Sequence, residues 1–348
     1  MTPTRSKILA AAPRRARQRQ GVTISDVASA AGVAVMTASR ALNKPEMVSE
    51  LLRRRVQDAV EQLGYIPDQV AGNLASGSSR VIPIVIPTLS HPVYLPTLNA
   101  LQDTLAAEYQ ILLATSEYSP EHEEKLIQVL LGWRPSGLVL SGIDHTERAT
   151  RMLRGAGLPI VELMDFSPTP LDLNVGFDHA AVGRAVAEMF LTRGRVRPVY
   201  AGSVLPGDSR STRRRQAFEA VLSAASLPAG RVTALSEPSS IPAGGRLLEA
   251  VLSQYPDTDA VFVTNDDLAV GAVAAALRRG LRVPQDIAIL GFNDQEIAAH
   301  VTPPVSSVRT PRFEIGQIAA RMLLSRLAGE PQQQAVDVGF EIIHRATT

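Results

Sequence analysis

The chain has 348 residues, more than one typical domain of about 100–200 residues, and 45% of them are hydrophobic, which is enough for large buried cores. It contains no cysteine, so disulfides and thiolate metal sites are excluded, and its net charge of +1 conceals a basic N-terminal part and a mildly acidic remainder. The longest apolar run, residues 81–86, is too short to span a bilayer, and residues 1–12 lack the hydrophobic region of a signal peptide. We therefore expect a cytoplasmic protein.

Residues 1–20 are rich in basic side chains and precede the first acidic residue of the chain. We expect a disordered basic arm here, because such a segment has little apolar surface to bury. A solvated tail is the ordinary interpretation of such a run. Ahead of a nucleic-acid-binding element it can also contact phosphates and add salt-dependent affinity. The basic residues are Arg5, Lys7, Arg14, Arg15, Arg17 and Arg19.

Residues 21–66 have the pattern of a small all-α domain. A first helix is predicted over 24–31, with Thr23 as its N-cap and Asp26 in its first turn. Gly32 allows a sharp turn into a second helix over 35–42, whose small side chains suit close approach to a DNA major groove. A third helix is predicted over 47–63, with Ser49 as N-cap and Gly64 at its end. A helical hairpin rich in alanine is common, so the first two helices alone are weak evidence of DNA binding.

The order of motifs through residue 74 resembles the DNA-binding headpiece of the LacI/GalR family of bacterial repressors. Ala34 stands where the family commonly has a serine cap, a loss that costs about 1 kcal/mol. Ala38, Asp68 and Gly72 also depart from the family pattern. The matching positions are Thr23, Asp26-Val27-Ala28, Ala31-Gly32-Val33, Thr37, Ser39-Arg40, Leu42-Asn43, Val48-Ser49, Leu63-Gly64-Tyr65, Pro67, Ala71 and Leu74.

The resemblance implies a homodimer that binds double-stranded operator DNA of roughly palindromic sequence, inside a bacterial cell and in association with its nucleoid. Residues 67–79 are expected to form a hinge helix and linker, with Leu74 as a minor-groove wedge. The carboxyl tail, residues 329–348, has no leucine heptads, which favours a dimer over a tetramer. The implied DNA contacts are Thr23, Val35, Met36, Thr37, Ser39, Arg40, Asn43, Asp68, Gln69, Ala71 and Leu74.

Residues 80–348 alternate continuous apolar strands with amphipathic helices. This pattern predicts an α/β body of two doubly wound parallel-sheet lobes, which bind ligands at the carboxyl ends of their strands. The resemblance agrees, since the family's body is periplasmic-binding-protein-like and its chain crosses between the lobes three times. We expect lobe one to span about 80–177 and 310–328, and lobe two about 178–309 and 329–348. Strands are predicted at 81–86, 111–114, 137–140, 159–162, 174–178, 198–201, 260–263 and 287–290. Helices are predicted at 95–108, 121–131, 146–155, 179–192, 211–225 and 266–279.

Polar residues follow several of these strands and are candidates for an effector site. Asp and Asn side chains bind sugar hydroxyls, and an Arg binds a carboxylate through two hydrogen bonds. The resemblance implies effector contacts at Asp165, Arg214, Asn265 and Asn293, and His91 and Tyr94 are added because they follow the first strand. Each also has an ordinary structural explanation. Asp266 suits a helix N-terminus, and Asn293-Asp294 suits a turn. Arg214 lies among Arg210, Arg213 and Arg215, most of which are expected to face solvent.

Two stretches, 161–165 and 175–178, are similar to the gluconate-type members of the family, whereas 264–272 is widespread in it. Asn293 replaces a common Asp, which removes a negative charge from the cleft and suits an anionic ligand. The resemblance therefore implies a small sugar-acid effector such as gluconate, acting as an inducer. A ketogluconate fits nearly as well, and a neutral sugar remains an alternative.

Two other classes of protein were weighed. An enzyme with a DNA-binding accessory domain is the remote alternative, because G-x-G-x-x-G after a strand, a P-loop, H-E-x-x-H and G-x-S-x-G are all missing from the sequence. A plain solute-binding protein does not fit the headpiece or the lack of an export signal. We expect no cofactor and no metal site.

Overall fold

The computed structural model describes residues 21–66, 79–90, 92–203 and 207–348. These residues fall into two compact units, one ending before and one beginning after the segment 67–78. The predicted basic arm, His91 and all of the predicted hinge and linker except Ser79 lie outside the described residues. Within the described part of the chain, no helix is both long and apolar enough to cross a membrane.

The first unit is a three-helix headpiece whose bounds follow the predicted caps: α1 is Ile24–Ala31, α2 is Val35–Asn43 and α3 is Glu50–Leu63. Thr23 and Asp26 form a reciprocal capping box at the start of α1, and Gly32 ends it with a φ of 61°. Ala34 caps α2 without any side-chain hydrogen bond. The three helices bury one small apolar core, formed by Val27, Ala28, Ala31, Ala38, Ala41, Val56 and Ala59.

The third helix begins later than predicted. Pro45–Met47 form a 3₁₀ turn, and Ser49 has extended backbone before the helix begins at Glu50. The proline explains the difference, because it fixes a backbone φ that suits a turn and supplies no amide N–H. Ser49 is the N-cap residue, as predicted, although its side chain makes no capping hydrogen bond.

The second unit alternates strands and helices along almost its whole length. Its strands are β1 Val81–Ile86, β2 Gln110–Thr115, β3 Leu138–Ser141, β4 Ile160–Leu163, β5 Leu173–Gly176, β6 Pro198–Ser203, β7 Val232–Leu235, β8 Ala260–Val263, β9 Ala288–Asn293, β10 Ser306–Arg309, β11 Ala335–Asp337 and β12 Glu341–Ile343. Its helices are α4 Leu95–Leu105, α5 Pro120–Gly132, α6 Glu147–Gly155, α7 His179–Thr192, α8 Ser209–Ala224, α9 Ile241–Gln254, α10 Asp266–Arg278, α11 Glu296–His300 and α12 Arg312–Leu327.

The strands of the described residues form two six-stranded sheets, with the orders β11-β5-β4-β3-β1-β2 and β12-β10-β9-β8-β6-β7. Every pairing is parallel except that of β10 with β12. The predicted fold class is therefore confirmed. Continuous apolar strands such as β1 and β8 are buried along nearly their whole length, as expected for sheets covered on both faces.

The chain crosses between the two lobes three times, as the resemblance implies. It crosses after β5, again after β10, and finally between β11 and β12. Helix α12 packs on α4 of lobe one, as predicted. The assignment of all of 329–348 to lobe two is wrong, because β11 pairs with β5 in the first sheet and only β12 joins the second. Three-residue strands carry too little periodicity to be assigned from sequence.

The apolar core is continuous between the lobes. One buried cluster joins residues of lobe one, such as Ile82 and Val161, to residues of lobe two, such as Phe190 and Phe218. Phe177 and Phe292 lie at the crossing, with ring centroids 6.3 Å apart. The carboxyl ends of both sheets consequently face a common cleft, which holds the site described next.

Candidate effector cavity and DNA-binding surface

A cavity of about 100 Å³ lies between the lobes, at the carboxyl ends of the strands. Its charged lining is mostly cationic: three guanidinium groups, from Arg210, Arg214 and Arg312, face a single carboxylate, that of Asp208. Four of the predicted effector contacts line it, namely Tyr94, Arg214, Asn265 and Asn293. The remaining lining residues are Val93, Tyr118, Met164, Phe177, His179, Ser203, Ser239, Thr264, Phe292 and Thr310.

Arg214 is the most constrained cation of the cavity. It lies on α8 and is only 5% exposed, although the sequence favoured solvent exposure for most of this arginine run. Its Nη1 donates to Nδ1 of His179 at 2.7 Å, and its guanidinium carbon lies 4.0 Å from the centre of the Phe292 ring. Among the described residues, its buried Nε has no hydrogen-bond partner. Buried polar groups are nearly always paired, so this donor is suited to an anionic ligand.

His179 holds Arg214 in place and is a site residue that the sequence reasoning missed. Its Nε2 donates to the carbonyl oxygen of Met164 at 2.9 Å, which leaves Nδ1 to accept from Arg214. Burial, together with the charges of Arg214 and Arg210, holds the pKa of His179 well below its usual value. The imidazole is therefore neutral and adds no charge to the cavity. A histidine just after Asp178 is typical of a helix N-terminus, so no local pattern indicates this role.

Asn265 and Asn293 contribute amide groups to the opposite wall. Oδ1 of Asn265 accepts from Nε2 of Gln295 at 2.9 Å and from the backbone N–H of Asp266 at 3.0 Å. With that oxygen engaged, Asn265 offers the cavity its NH₂ donor. Asn293 ends β9 with a φ of 99°, a conformation that few side chains other than Asn adopt. Its position is thus both a turn, as the structural interpretation predicted, and part of the cavity wall.

Arg210 joins the two lobes across the cavity. Its Nη2 donates to the hydroxyl of Tyr94 at 2.9 Å and its Nη1 to Ser141 Oγ at 3.3 Å. Arg312, at the start of α12, lines the same cavity, and its buried Nε has no hydrogen-bond partner. Neither Arg210 nor Arg312 was predicted from the sequence to lie at the site. Arg312 follows β10, a strand that was not predicted, so its place at a strand end could not be recognised.

Asp165 is the exception among the predicted contacts that the structure describes. It is 2% exposed and does not line the cavity, because its carboxylate accepts a hydrogen bond from Nη1 of Arg213. The same guanidinium donates through Nη2 to both oxygens of Asp144, at 2.5 and 2.7 Å. Burial raises the pKa of Asp165 to about 6, against the opposing effect of Arg213. Asp165 is therefore an ion-pair partner, and its prediction as a hydroxyl ligand is not supported by this geometry.

Asp266 has the structural role that the sequence offered as its alternative. It is the first residue of α10, fully buried, and accepts from the Ser307 hydroxyl at 2.5 Å and the Gln295 backbone at 2.7 Å. Burial raises its pKa to about 7. The two hydrogen bonds of Asp266 connect α10 to β10 and to the segment after β9.

The headpiece presents the side chains predicted to read DNA on the exposed face of α2. Met36 is 67% and Val35 is 46% exposed, although both are apolar. Arg40 and Asn43 are exposed and Thr37 is half-buried. Asn43 donates to the Ser39 backbone carbonyl at 3.0 Å, and the Thr23 side chain is held in the capping box. Asp68, Gln69, Ala71 and Leu74 lie outside the described residues.

Comparison with known proteins establishes the class. Residues 23–68 match the profile described as bacterial regulatory proteins, lacI family, and residues 187–348 match that of a periplasmic binding protein-like domain. The chain belongs to the LacI family and is a DNA-binding transcriptional repressor, not an enzyme.

Particular relatives extend this similarity over nearly the whole chain. The HTH-type transcriptional regulator GntR of Pseudomonas aeruginosa is 41% identical over 330 residues, covering 94% of this chain and 95% of that protein. The Escherichia coli regulator of the same name is 38% identical, with 92% and 96% covered. The crystal structure of a LacI-family regulator from Silicibacter pomeroyi superposes with a TM-score of 0.88 at 33% identity, over 94% of this chain and 99% of that one.

Proposed function

We propose that this repressor controls genes of sugar-acid catabolism and that a small sugar acid, gluconate or a close relative, is its inducer. The observation that carries the proposal is the charge of the cavity, where three guanidinium groups face one carboxylate. Such a site favours an anion, because a carboxylate forms strong charge-assisted hydrogen bonds with guanidinium groups. The similarity to the regulators named GntR supports the same ligand class.

Arg214 is the group best placed to bind the carboxylate. Its position is fixed by the Nδ1 of His179 on one side and the ring of Phe292 on the other. A guanidinium held in advance loses little rotamer freedom on binding, which favours affinity. Arg312, at the start of α12, supplies another cation, and Asn265 and Asn293 supply polar groups for hydroxyls.

We further propose that the protein binds a palindromic operator as a homodimer in the bacterial cytoplasm. A single headpiece reads only a few base pairs, so two half-sites related by twofold symmetry are needed for useful affinity. Val35, Met36, Thr37 and Arg40 are proposed to read bases, with the two apolar residues contacting thymine methyl groups. We propose that Ser39, Asn43 and Thr23 contact the DNA backbone and that Leu74 inserts into the minor groove as a wedge.

Induction follows if the effector binds the DNA-free state more tightly than the DNA-bound state, and the coupling is then reciprocal. The test is calorimetric titration of the full-length protein with gluconate, ketogluconates and neutral sugars, with and without operator DNA. We expect sugar acids to bind, and to bind more weakly when operator is present. Binding of a neutral sugar alone would exclude the sugar-acid assignment, and tighter binding with operator would make the ligand a corepressor.

A further inference from the structure

We propose that Arg213 determines the charge specificity of the effector site, by offsetting the negative charge of the buried Asp165 carboxylate beside the cavity. The inference rests on the proposed sugar-acid effector and adds a residue that selects for it. Arg213 does not line the cavity, and it acts through its partners.

The position of Arg213 follows from that of its neighbour. Arg213 and Arg214 are consecutive residues of α8, so their side chains leave the helix about 100° apart. Arg214 enters the cavity, whereas Arg213 reaches the other lobe and binds Asp165, which follows β4, and Asp144, which follows β3. Asp144 accepts a further hydrogen bond from Ser209 at the start of α8.

The paired carboxylates lie close to the anion site. Asp165 directly follows Met164, a lining residue whose carbonyl oxygen holds His179 and, through it, Arg214. Because Asp165 is 2% exposed, water screens its charge poorly, and an uncompensated carboxylate here would repel a ligand carboxylate at Arg214. Arg213 supplies the positive charge that offsets it. Arg210 adds a second positive charge near Asp165, whereas Asp144 adds a negative one.

The same pairing also removes an acceptor from the site. A free carboxylate at the cleft edge would bind sugar hydroxyls and so favour a neutral sugar, but this one is already engaged by Arg213. Arg213 therefore favours a sugar acid in two ways. It prevents the Asp165 carboxylate from repelling the anionic ligand, and it keeps that carboxylate from binding the hydroxyls of a neutral sugar. Negative selection of this kind is a common source of specificity.

The inference is tested by calorimetry on the full-length protein with gluconate and with glucitol, which has the same carbon skeleton without the carboxylate. The variants are Arg213→Gln, Asp165→Asn and the double variant Arg213→Gln/Asp165→Asn. The matched control is Arg215→Gln, because the ion pair that Arg215 forms among the described residues is within its own helix, with Glu219 at 3.2 Å.

We expect Arg213→Gln to weaken gluconate binding at least about tenfold once the pH is high enough to ionise Asp165, because the pKa of this buried carboxyl rises further when Arg213 is removed. The double variant, in which that charge is gone, should return to within about threefold of wild type. Asp165→Asn alone and Arg215→Gln should bind gluconate as well as wild type does. Should Arg213→Gln fail to fold, Arg213→Lys, which keeps the positive charge, should bind gluconate within about threefold of wild type, and a tenfold loss there would contradict the inference.

Three outcomes overturn the inference. An unchanged affinity in Arg213→Gln removes the role, and a double variant as weak as Arg213→Gln shows that the ion pair acts only by joining the lobes. A tenfold or greater loss in Asp165→Asn shows that Asp165 binds the ligand itself. In each case wild type still binds gluconate, so the proposed function stands. Wild-type protein that binds glucitol but not gluconate, or that binds neither, would contradict both the proposed function and the inference.

Discussion

Nη1 of Arg214 donates a 2.7 Å hydrogen bond to Nδ1 of His179, and both side chains are buried at the base of the effector cavity. The bond requires a neutral imidazole with its proton on Nε2, which the carbonyl oxygen of Met164 accepts. A guanidinium whose position is fixed in advance is an effective receptor for a carboxylate.

His179→Leu removes the acceptor and should weaken sugar-acid binding about tenfold, because Arg214 then loses one of the groups that orient it. His179→Gln, which can both accept and donate, should retain more affinity. Calorimetry with gluconate measures the difference, and far-ultraviolet circular dichroism checks the fold. Equal affinities for both variants and wild type would show that Arg214 is held by Phe292 alone.

The pH dependence of stability should include a contribution from Asp266, because burial raises the pKa of this carboxyl from its ordinary value near 4 to about 7. The folded protein then holds a proton over this interval that the unfolded chain has released, so the contribution stabilises below about pH 4 and is lost as pH rises through 7. Unfolding by urea between pH 4 and 8 should therefore show a falling difference in unfolding free energy between wild type and Asp266→Asn. Parallel curves for the two proteins would exclude the raised pKa.

The uncapped start of α2 predicts a stabilising substitution. Ala34 already has the extended backbone of an N-cap residue, with φ −69° and ψ 148°, and lacks only the side-chain acceptor. Ala34→Ser should stabilise the headpiece by about 1 kcal/mol, seen as slower amide exchange in α2 of the full-length protein. The control is Ala30→Ser, inside α1, where serine should destabilise by about 0.5 kcal/mol. The same response at both positions would show that capping is not the cause.

Met36 should influence which operator is chosen more than how tightly it is bound. It is the most exposed apolar residue of α2, at 67% exposed, and is placed to contact thymine methyl groups. Selection from a random operator library should return different half-sites for Met36→Gln and for wild type, at similar affinity. Met47→Gln is the matched control, since Met47 is 61% exposed but lies in the 3₁₀ turn outside α2. An unchanged preference for Met36→Gln would contradict the role.

The sequence predicted the headpiece and most of the strands because both depend on local patterns. Thr23, Asp26 and Gly32 define α1 without reference to the rest of the chain, and an apolar strand such as 260–263 is recognisable alone. The strand β7 and helix α9 were not assigned. β7 is partly exposed and has no continuous apolar run.

The site could be predicted only in part. Positions after strand ends located Arg214, Asn265 and Asn293, but the choice among neighbouring arginines depends on partners far away in sequence. Arg213 binds Asp144 and Asp165, and Arg210 binds Tyr94, across separations of 48 residues or more. Local spacing holds no information about which of these charged residues meet, so Asp165 was assigned to the ligand and Arg210 to solvent.

The most direct test of the account is release of operator DNA by a sugar acid, measured by fluorescence anisotropy of a labelled operator. We expect gluconate, but not glucitol, to lower the operator affinity of wild type by about tenfold or more. Arg214→Ala should bind the operator as wild type does and be insensitive to gluconate, because the headpiece is unchanged and the carboxylate has lost its main partner. Gluconate that leaves wild-type binding unchanged, or that releases Arg214→Ala equally well, would contradict the account.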